Sequence, residues 1–379
     1  MKSFDVVIVG AGPAGCAAAL ELGKSGTKVL LLDRDHFPRD KVCGDAIPGP
    51  AVKALGAIRP DFGTGLAALP TAERSRRTRL HLNGHRPVEL HWETRAYTCR
   101  RTDFDNYLLG LVRQYTATTL CLGSRVTTLE YIPDGVVVES QGNGAVRAKL
   151  VIGADGAHSA VGKQLAGNRL DLNHHGGAVR QYYRAVQGME PDRLEIHTLP
   201  AFMPGYFWVF PLADGHCNVG FGMHSGAIKR SGIQLRSSIA EFIQASPELR
   251  GRFAGATPLD TVRGFGLPFG SRRVSVAGER YLLAGDAASL VDPLTGDGIG
   301  QAILSGTLAA NAAVRCLGAR DCSATMTSTY TTALRKAVGR DLHRRSWVLA
   351  VHSRFPFLVD WGARLLQVGG VNRLIRPYL

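Results

Sequence analysis

The sequence predicts an α/β protein built from two interleaved lobes, with a helical segment at the C-terminal end. Three observations predict it. Residues 4–34, FDVVIVGAGPAGCAAALELGKSGTKVLLLDR, read as strand, glycine turn, helix and second strand. Two further glycine-plus-acid turns, Gly153–Gly156 and Gly285–Asp286, close buried apolar runs far downstream. Between these turns lie short runs of period two, separated by turn residues, which read as antiparallel strands. The lobes therefore alternate along the chain. Residues 1–75, 99–172 and 273–320 make a Rossmann-like lobe, residues 76–98 and 173–272 an antiparallel-sheet substrate lobe, and residues 321–379 the helical segment.

In the first unit each glycine has a separate task. Gly10 permits the tight turn, Gly12 lets the backbone approach a diphosphate, and Gly15 allows the helix to pack closely on the strand. Pro13 suits the first helical turn, where its missing N–H costs nothing. The free amides at that helix N-terminus form a site for a diphosphate. Asp33 ends the second strand, where a carboxylate takes a ribose hydroxyl. The unit predicts dinucleotide binding.

The following loop, DHFPRDKVCGDAIPGPAVKALGAI, is rich in glycine, proline and charge and runs into a short helix near Pro50 to Leu55. Alternating runs between Arg79 and Trp92 flank Asn83-Gly84, a strong hairpin signal. Thr102 fits the N-cap of a helix from Asp103 to Tyr115. Strands at 125–131, 135–140 and 145–152 form a meander, and the third delivers Gly153-Ala154-Asp155-Gly156 before a helix beginning near Ser159. Antiparallel strands follow at 178–186, 193–198, 206–211 and 216–223, then a helix at 233–243. A buried strand at 280–283 ends at Gly285-Asp286, and a long helix runs from about Gln301 to Leu317. The remainder reads mostly as helix.

Composition narrows the classes. The formal charge is +14, and only nine of the forty-five basic residues are lysine. The arginines are dispersed and not interleaved with aromatic residues, so no nucleic-acid platform is indicated. Solvated surface and attraction to anionic cofactors or anionic lipid account for the charge. Seven cysteines without a CxxC pair indicate neither a disulfide framework nor a zinc site, and so a reduced, cytoplasmic setting. His158, His174 and His175 read as surface or loop residues, and no spacing supports a metal. The chain begins almost directly with a strand, leaving no room for a signal peptide. No apolar run reaches a membrane-spanning length, which leaves peripheral contact with the inner face of a membrane. The aromatic and leucine face of SRFPFLVDWGARLLQ suits such contact, and equally a helix closing the substrate lobe.

Three glycine-plus-acid turns at the C-terminal ends of strands are expected to converge on one ligand. Their order resembles the glutathione-reductase-type flavoproteins of the aromatic-hydroxylase kind. A closer resemblance rests on KVCGDAIP at 41–48, CRRTDFDNYLL at 99–109, GYFWVFPLADGHCNVGFG at 205–222 and DPLTGDGI at 292–299. These motifs resemble the geranylgeranyl reductase family, whose members reduce isolated double bonds of prenyl chains in lipids, chlorophyll precursors or quinones. The loop departs from archaeal members in reading CGDA where they carry a second glycine.

The resemblance implies an FAD cofactor, with NAD(P)H or another external electron donor. No second complete GxGxxG unit is present for the nicotinamide cofactor. Carried over position by position, the FAD contacts fall on Gly10, Gly12, Pro13, Ala14, Gly15, Asp33, Arg34, Cys43, Gly44, Arg101, Val126, Asp155, Gly285, Asp286, Pro293, Gly296, Gly298 and Ile299. Arg101 matches the arginine that steadies FAD, and Cys43 a loop cysteine near the flavin that could supply a proton. Tyr206, Trp208 and Phe210 match the strand lining the substrate cavity. Alternation puts those three rings on one face, as a wall for an apolar chain or as ordinary sheet core. Arg39 and Lys41 give Cys43 the cationic setting of a reactive thiol, the alternative being a small buried residue.

The expected activity is reduction of carbon–carbon double bonds in a large apolar substrate, a small molecule or lipid. Two alternatives share the scaffold: a flavin monooxygenase that hydroxylates or epoxidises, and a flavoprotein that only relays electrons. The halogenase signature WxWxIP is not matched by residues 206–211.

Overall fold

The computed structural model describes residues 1–354, so that nearly all of the segment at 353–367 considered for bilayer contact lies outside the described residues. Two sheets organise the chain. The first carries five parallel strands in the order Tyr281–Leu283, Gly144–Gly153, Lys2–Val9, Val29–Leu32 and Thr119–Cys121. The strands Val126–Ile132 and Gly135–Ser140 extend it as an antiparallel meander from Gly144–Gly153. Val6, Val7 and Ile8 are completely buried, and a parallel strand covered on both faces needs such an unbroken apolar run. The register pairs Val9 with Leu32 and with Gly153, and Leu283 with Gly153. The three glycine turns therefore leave the sheet side by side.

Helix Pro13–Leu22 follows the first turn and packs on helix Ile299–Ala319. A β-carbon on Gly306 would lie 2.1 Å from the Ala14 carbonyl oxygen, so the two backbones touch. Ile299–Ala319 is long and apolar enough to cross a bilayer, which the sequence reading did not anticipate. Its close seat against the first helix identifies it as a core helix.

Among the described residues the second sheet has nine strands. Its path is Thr257–Pro258, His175–Arg184, His216–His224, Tyr206–Pro211, Arg193–Thr198, Glu73–Leu82, Val88–Thr98 and Ala46–Ile47, with Arg263–Pro268 also on His175–Arg184. The pairing is antiparallel except between Arg193–Thr198 and Glu73–Leu82, which run parallel. The sheet also reaches back to Glu73 and takes Ala46–Ile47, earlier than the boundary at 76 drawn from sequence. One face is a core: Phe207, Val209, Val219 and Phe221 are buried against helix Leu235–Ala245, with Phe207 stacked on Phe242 at 4.7 Å between centroids. Each such ring contributes about 2–3 kcal/mol through burial. The opposite face carries Tyr206, Trp208 and Phe210 and turns toward the first lobe.

Three local expectations need correction. The helix after the hairpin is Arg101–Tyr115 with Arg100 at its N-cap and no side-chain cap, so Thr102 lies inside it. His175 is a buried strand residue, its Nδ1 3.0 Å from Ser225 Oγ, not a surface residue. Helix Pro247–Phe253 and strand Arg263–Pro268 were not foreseen, because neither has a long periodic pattern.

Candidate functional site

At the first turn, Gly10 has φ +101°, and a β-carbon there would lie 2.3 Å from the Ala154 carbonyl of the second turn. A β-carbon on Gly15 would lie 1.8 Å from the Gly10 carbonyl. Around Gly12, among the described residues, the only neighbour within 4 Å of such an atom is an Arg39 guanidinium nitrogen, at 3.7 Å. That is the cradle a diphosphate requires: open space at a helix N-terminus, with a cation beside it. The third turn adjoins the first, since a β-carbon on Gly285 would sit 3.2 Å from the Ala14 side chain. These residues fit FAD.

The acids take partners the sequence did not reveal. Asp33 Oδ2 accepts from the Ala11 amide at 2.7 Å and Oδ1 from the Asp35 amide at 2.9 Å, so this carboxylate first pins the glycine turn. Ser124 donates its amide to the Asp33 carbonyl at 2.7 Å, which brings the start of strand Val126–Ile132 to the same end of the groove. Arg34 is exposed and faces Asp35 at 3.4 Å. Asp155 accepts from Ser159 Oγ and from the Ala160 and Val161 amides, so its carboxylate holds the start of helix Ala160–Gln164. Asp286 lies 3.6 Å from Lys41 Nζ, and a β-carbon on Gly298 would be 3.4 Å from Asp286 Oδ1.

The loop from Phe37 to Asp45 is stapled along this groove. Arg39 pairs with the buried Asp105 at 3.0 Å, Asp40 with Arg180 of the second sheet, and Lys41 with Asp286. Gly44 ends against the aromatic face, where a β-carbon would lie 3.3 Å from Phe210 and 3.4 Å from Trp208 Nε1. Arg39 and Lys41 are thus engaged elsewhere. The cation beside the Cys43 sulfur is Arg101, which is buried and makes a bidentate pair with Asp105 at 2.8 Å for both bonds. Burial opposes the charge on Arg101, but Asp105 and Cys43 outweigh it and raise its pKa.

Tyr206, Trp208 and Phe210 form a tilted series, with centroids 5.9 and 6.2 Å apart. Trp208 packs over Gly220, where a β-carbon would be 2.1 Å from its ring. Tyr206 donates its hydroxyl to the Thr295 carbonyl at 2.6 Å, joining this strand to the loop that contains Pro293 and Gly296 and leads into Ile299 at the start of the long helix. The buried Asp292 holds that loop by accepting from the Leu294 amide at 2.8 Å, and it pairs with Arg345.

Asp45, Tyr182 and Asn218 were missed from sequence. Tyr182 donates to Asp45 Oδ2 at 2.6 Å and Asn218 to the same oxygen at 2.9 Å. Burial pushes the Asp45 carboxyl up to about 6, against these hydrogen bonds and the charges of Arg180 and Arg101. Because the folded value lies above the unfolded one, the protonated acid stabilises the fold below about pH 4. That contribution is lost as pH rises through about 6. Asp45→Asn keeps the left-handed backbone that asparagine tolerates. Its stability relative to wild type should rise by about 3 kcal/mol between pH 4 and pH 8, measured by denaturant unfolding. A pH-independent difference would contradict the assignment.

Among the described residues, His81, Glu195 and His197 offer three ligand-type atoms within 4.8 Å of one another. Glu195 already carries Arg193 at 3.0 Å and Arg252 at 3.1 Å, and the two imidazoles are stacked at 4.1 Å. Two guanidiniums satisfy the carboxylate and repel a further cation. Burial pushes the His81 imidazole down to about 3, so the group is a neutralised network on the helix-covered face.

A dinucleotide groove of three converging turns, roofed by a sheet with an aromatic face, defines an FAD-dependent oxidoreductase of the aromatic-hydroxylase-like type. The model of the FAD binding domain family matches residues 3–340. The chain is 33% identical over 324 residues to menaquinone reductase of Mycolicibacterium smegmatis, covering 81% of this chain and 75% of that protein. It is 33% identical over 346 residues to digeranylgeranylglycerophospholipid reductase 1 of Methanopyrus kandleri, covering 86% and 84%. The protein belongs to the geranylgeranyl reductase family within the FAD binding domain proteins. Its fold is that of a geranylgeranyl bacteriochlorophyll reductase-like protein of Thermoplasma acidophilum, with TM-score 0.78, 23% identity and full coverage of both chains. A flavin-dependent brominase shares the fold at TM-score 0.77 and 20% identity, covering 99% of this chain and 98% of the other.

Proposed function

We propose that this protein reduces carbon–carbon double bonds of an isoprenoid chain carried by a lipid or quinone. The observation that carries this is the seat of Gly44 against Trp208 and Phe210, which brings the adjoining Cys43 to the aromatic face near Tyr206. The similar proteins are named for a menaquinone and a digeranylgeranylglycerophospholipid, and an isoprenoid chain is common to both. Bound FAD supplies the reducing equivalents. Gly12, Arg39 and the first amides of helix Pro13–Leu22 hold its diphosphate, the remaining lone pairs of Asp33 serve a ribose, and Asp286 and Gly298 serve the flavin end. Trp208 and Phe210 orient the alkene, and Cys43 donates the proton. NAD(P)H or another external donor would supply the electrons.

The test is anaerobic. Holoenzyme reduced chemically is mixed with a polyprenyl lipid and the product is read by mass spectrometry, then the reaction is repeated with oxygen. Saturation of a double bond without oxygen is expected. An oxygenated product formed only in air would replace this function with a monooxygenase.

A lipid substrate implies contact with a membrane surface from the cytoplasmic side. Lys336, Arg340, Arg344 and Trp347 recur at helical spacing along the outward face of 335–351, and Trp347 is 67% exposed. Cations beside an exposed indole suit an anionic interface. Arg344→Ser should lower affinity for phosphatidylglycerol vesicles about fivefold at low salt, from about 1 kcal/mol per charge. Equal binding in sedimentation assays would place the contact elsewhere.

A further inference from the structure

Asn218 is completely buried on strand His216–His224, with Tyr182 and Phe210 as its cross-strand neighbours. Its carboxamide makes three hydrogen bonds. Oδ1 accepts from Trp208 Nε1 at 2.9 Å, while Nδ2 donates to the Cys43 carbonyl at 2.8 Å and to Asp45 Oδ2 at 2.9 Å. The indole N–H can only donate and the carbonyl can only accept, so the amide has a single orientation. Asp45 adds a second anchor. Its φ of +63° turns the chain, its carbonyl accepts from the Cys99 amide at 2.9 Å, and its carboxyl accepts from Tyr182. A three-residue loop segment is thereby fastened to the substrate sheet, while the Cys43 sulfur is left beside Arg101.

We propose that Asn218 is a positioning residue that locks the Cys43–Gly44 turn and the Trp208 indole into one unit. It fixes the thiol relative to the substrate wall, and the loop's own conformation does not. The catalytic consequence rests on the function proposed above, but the clamp itself does not. Removing the amide frees the loop first, because Trp208 remains held over Gly220 by packing whereas the Cys43 carbonyl loses its donor.

The test uses FAD-loaded protein carrying Cys121→Ala, which leaves Cys43 as the one cysteine that is not buried. Alkylation of Cys43 by iodoacetamide is followed by peptide mass spectrometry, beside flavin content and the kcat and KM of alkene reduction. Asn218→Ala should alkylate at least about tenfold faster, the equivalent of one lost hydrogen bond. FAD should stay bound, and kcat should fall with KM nearly unchanged. Asn218→Asp keeps the acceptor for Trp208 and loses both donors, so it should move alkylation the same way. It decides the question alone if Asn218→Ala does not fold. Wild-type alkylation rates in either FAD-binding variant overturn the clamp. Should Cys43→Ser leave alkene reduction unchanged, the proton-donor role fails, and the alkylation rates still decide the clamp.

Discussion

Gly12→Val should abolish FAD retention while leaving a folded protein. A branched side chain at residue 12 enters the space expected for the diphosphate, and among the described residues nothing lies closer to its β-carbon than Arg39, at 3.7 Å. Loss of at least about a hundredfold in affinity, or roughly 2.7 kcal/mol, is expected. Flavin absorbance after desalting reads the loss, and circular dichroism reads the fold. The contrast is Gly15→Ala. Its β-carbon would lie 1.8 Å from the Gly10 carbonyl, an overlap that only backbone displacement relieves, so that variant should lose the fold along with the flavin. If Gly12→Val keeps its yellow colour, the diphosphate does not lie at this turn.

Cys43→Ser should slow double-bond reduction by roughly a hundred- to ten-thousandfold, the range that a positioned general acid supplies. A serine hydroxyl is a much weaker acid than a thiol, yet it is similar in size and leaves the Gly44 contacts with Trp208 and Phe210 in place. Flavin content and the rate of flavin reduction by a chemical reductant should stay near wild type. A monooxygenase needs no such proton, so the variant separates the two chemistries as well as testing the residue. An unchanged rate of alkene saturation would sink the proton-donor role.

Much of the architecture was legible because it is local. The run Val6–Val9, the glycines at 10, 12 and 15 and the acid at 33 specify strand, turn, helix and strand within about thirty residues. The hairpin at Asn83-Gly84 needed only its own dihedrals, φ +46° and +79°. Period two alone put Tyr206, Trp208 and Phe210 on one face. Sequence could not choose between wall and core for that face. The fold shows that helix Leu235–Ala245 covers the side of Phe207 and Val209, while Trp208 and Phe210 are buried on the other side, against Gly44.

The polar partners were decided by tertiary structure. From the sequence, Arg39 and Lys41 were the cations nearest Cys43, yet in the fold they pair with Asp105 and Asp286, and Arg101 stands by the thiol. Asp155 accepts from two amides at the start of its own helix, partners that the glycine-plus-acid turn did not disclose. Asn218 lies 173 residues from Asp45, and no local pattern marks it. Alternation and turn chemistry depend on neighbours within a few residues, so the sequence by itself determines the elements and the faces they present. A buried hydrogen bond depends on register between strands brought together from distant parts of the chain. Only the folded structure sets that register, and with it the surroundings of Cys43.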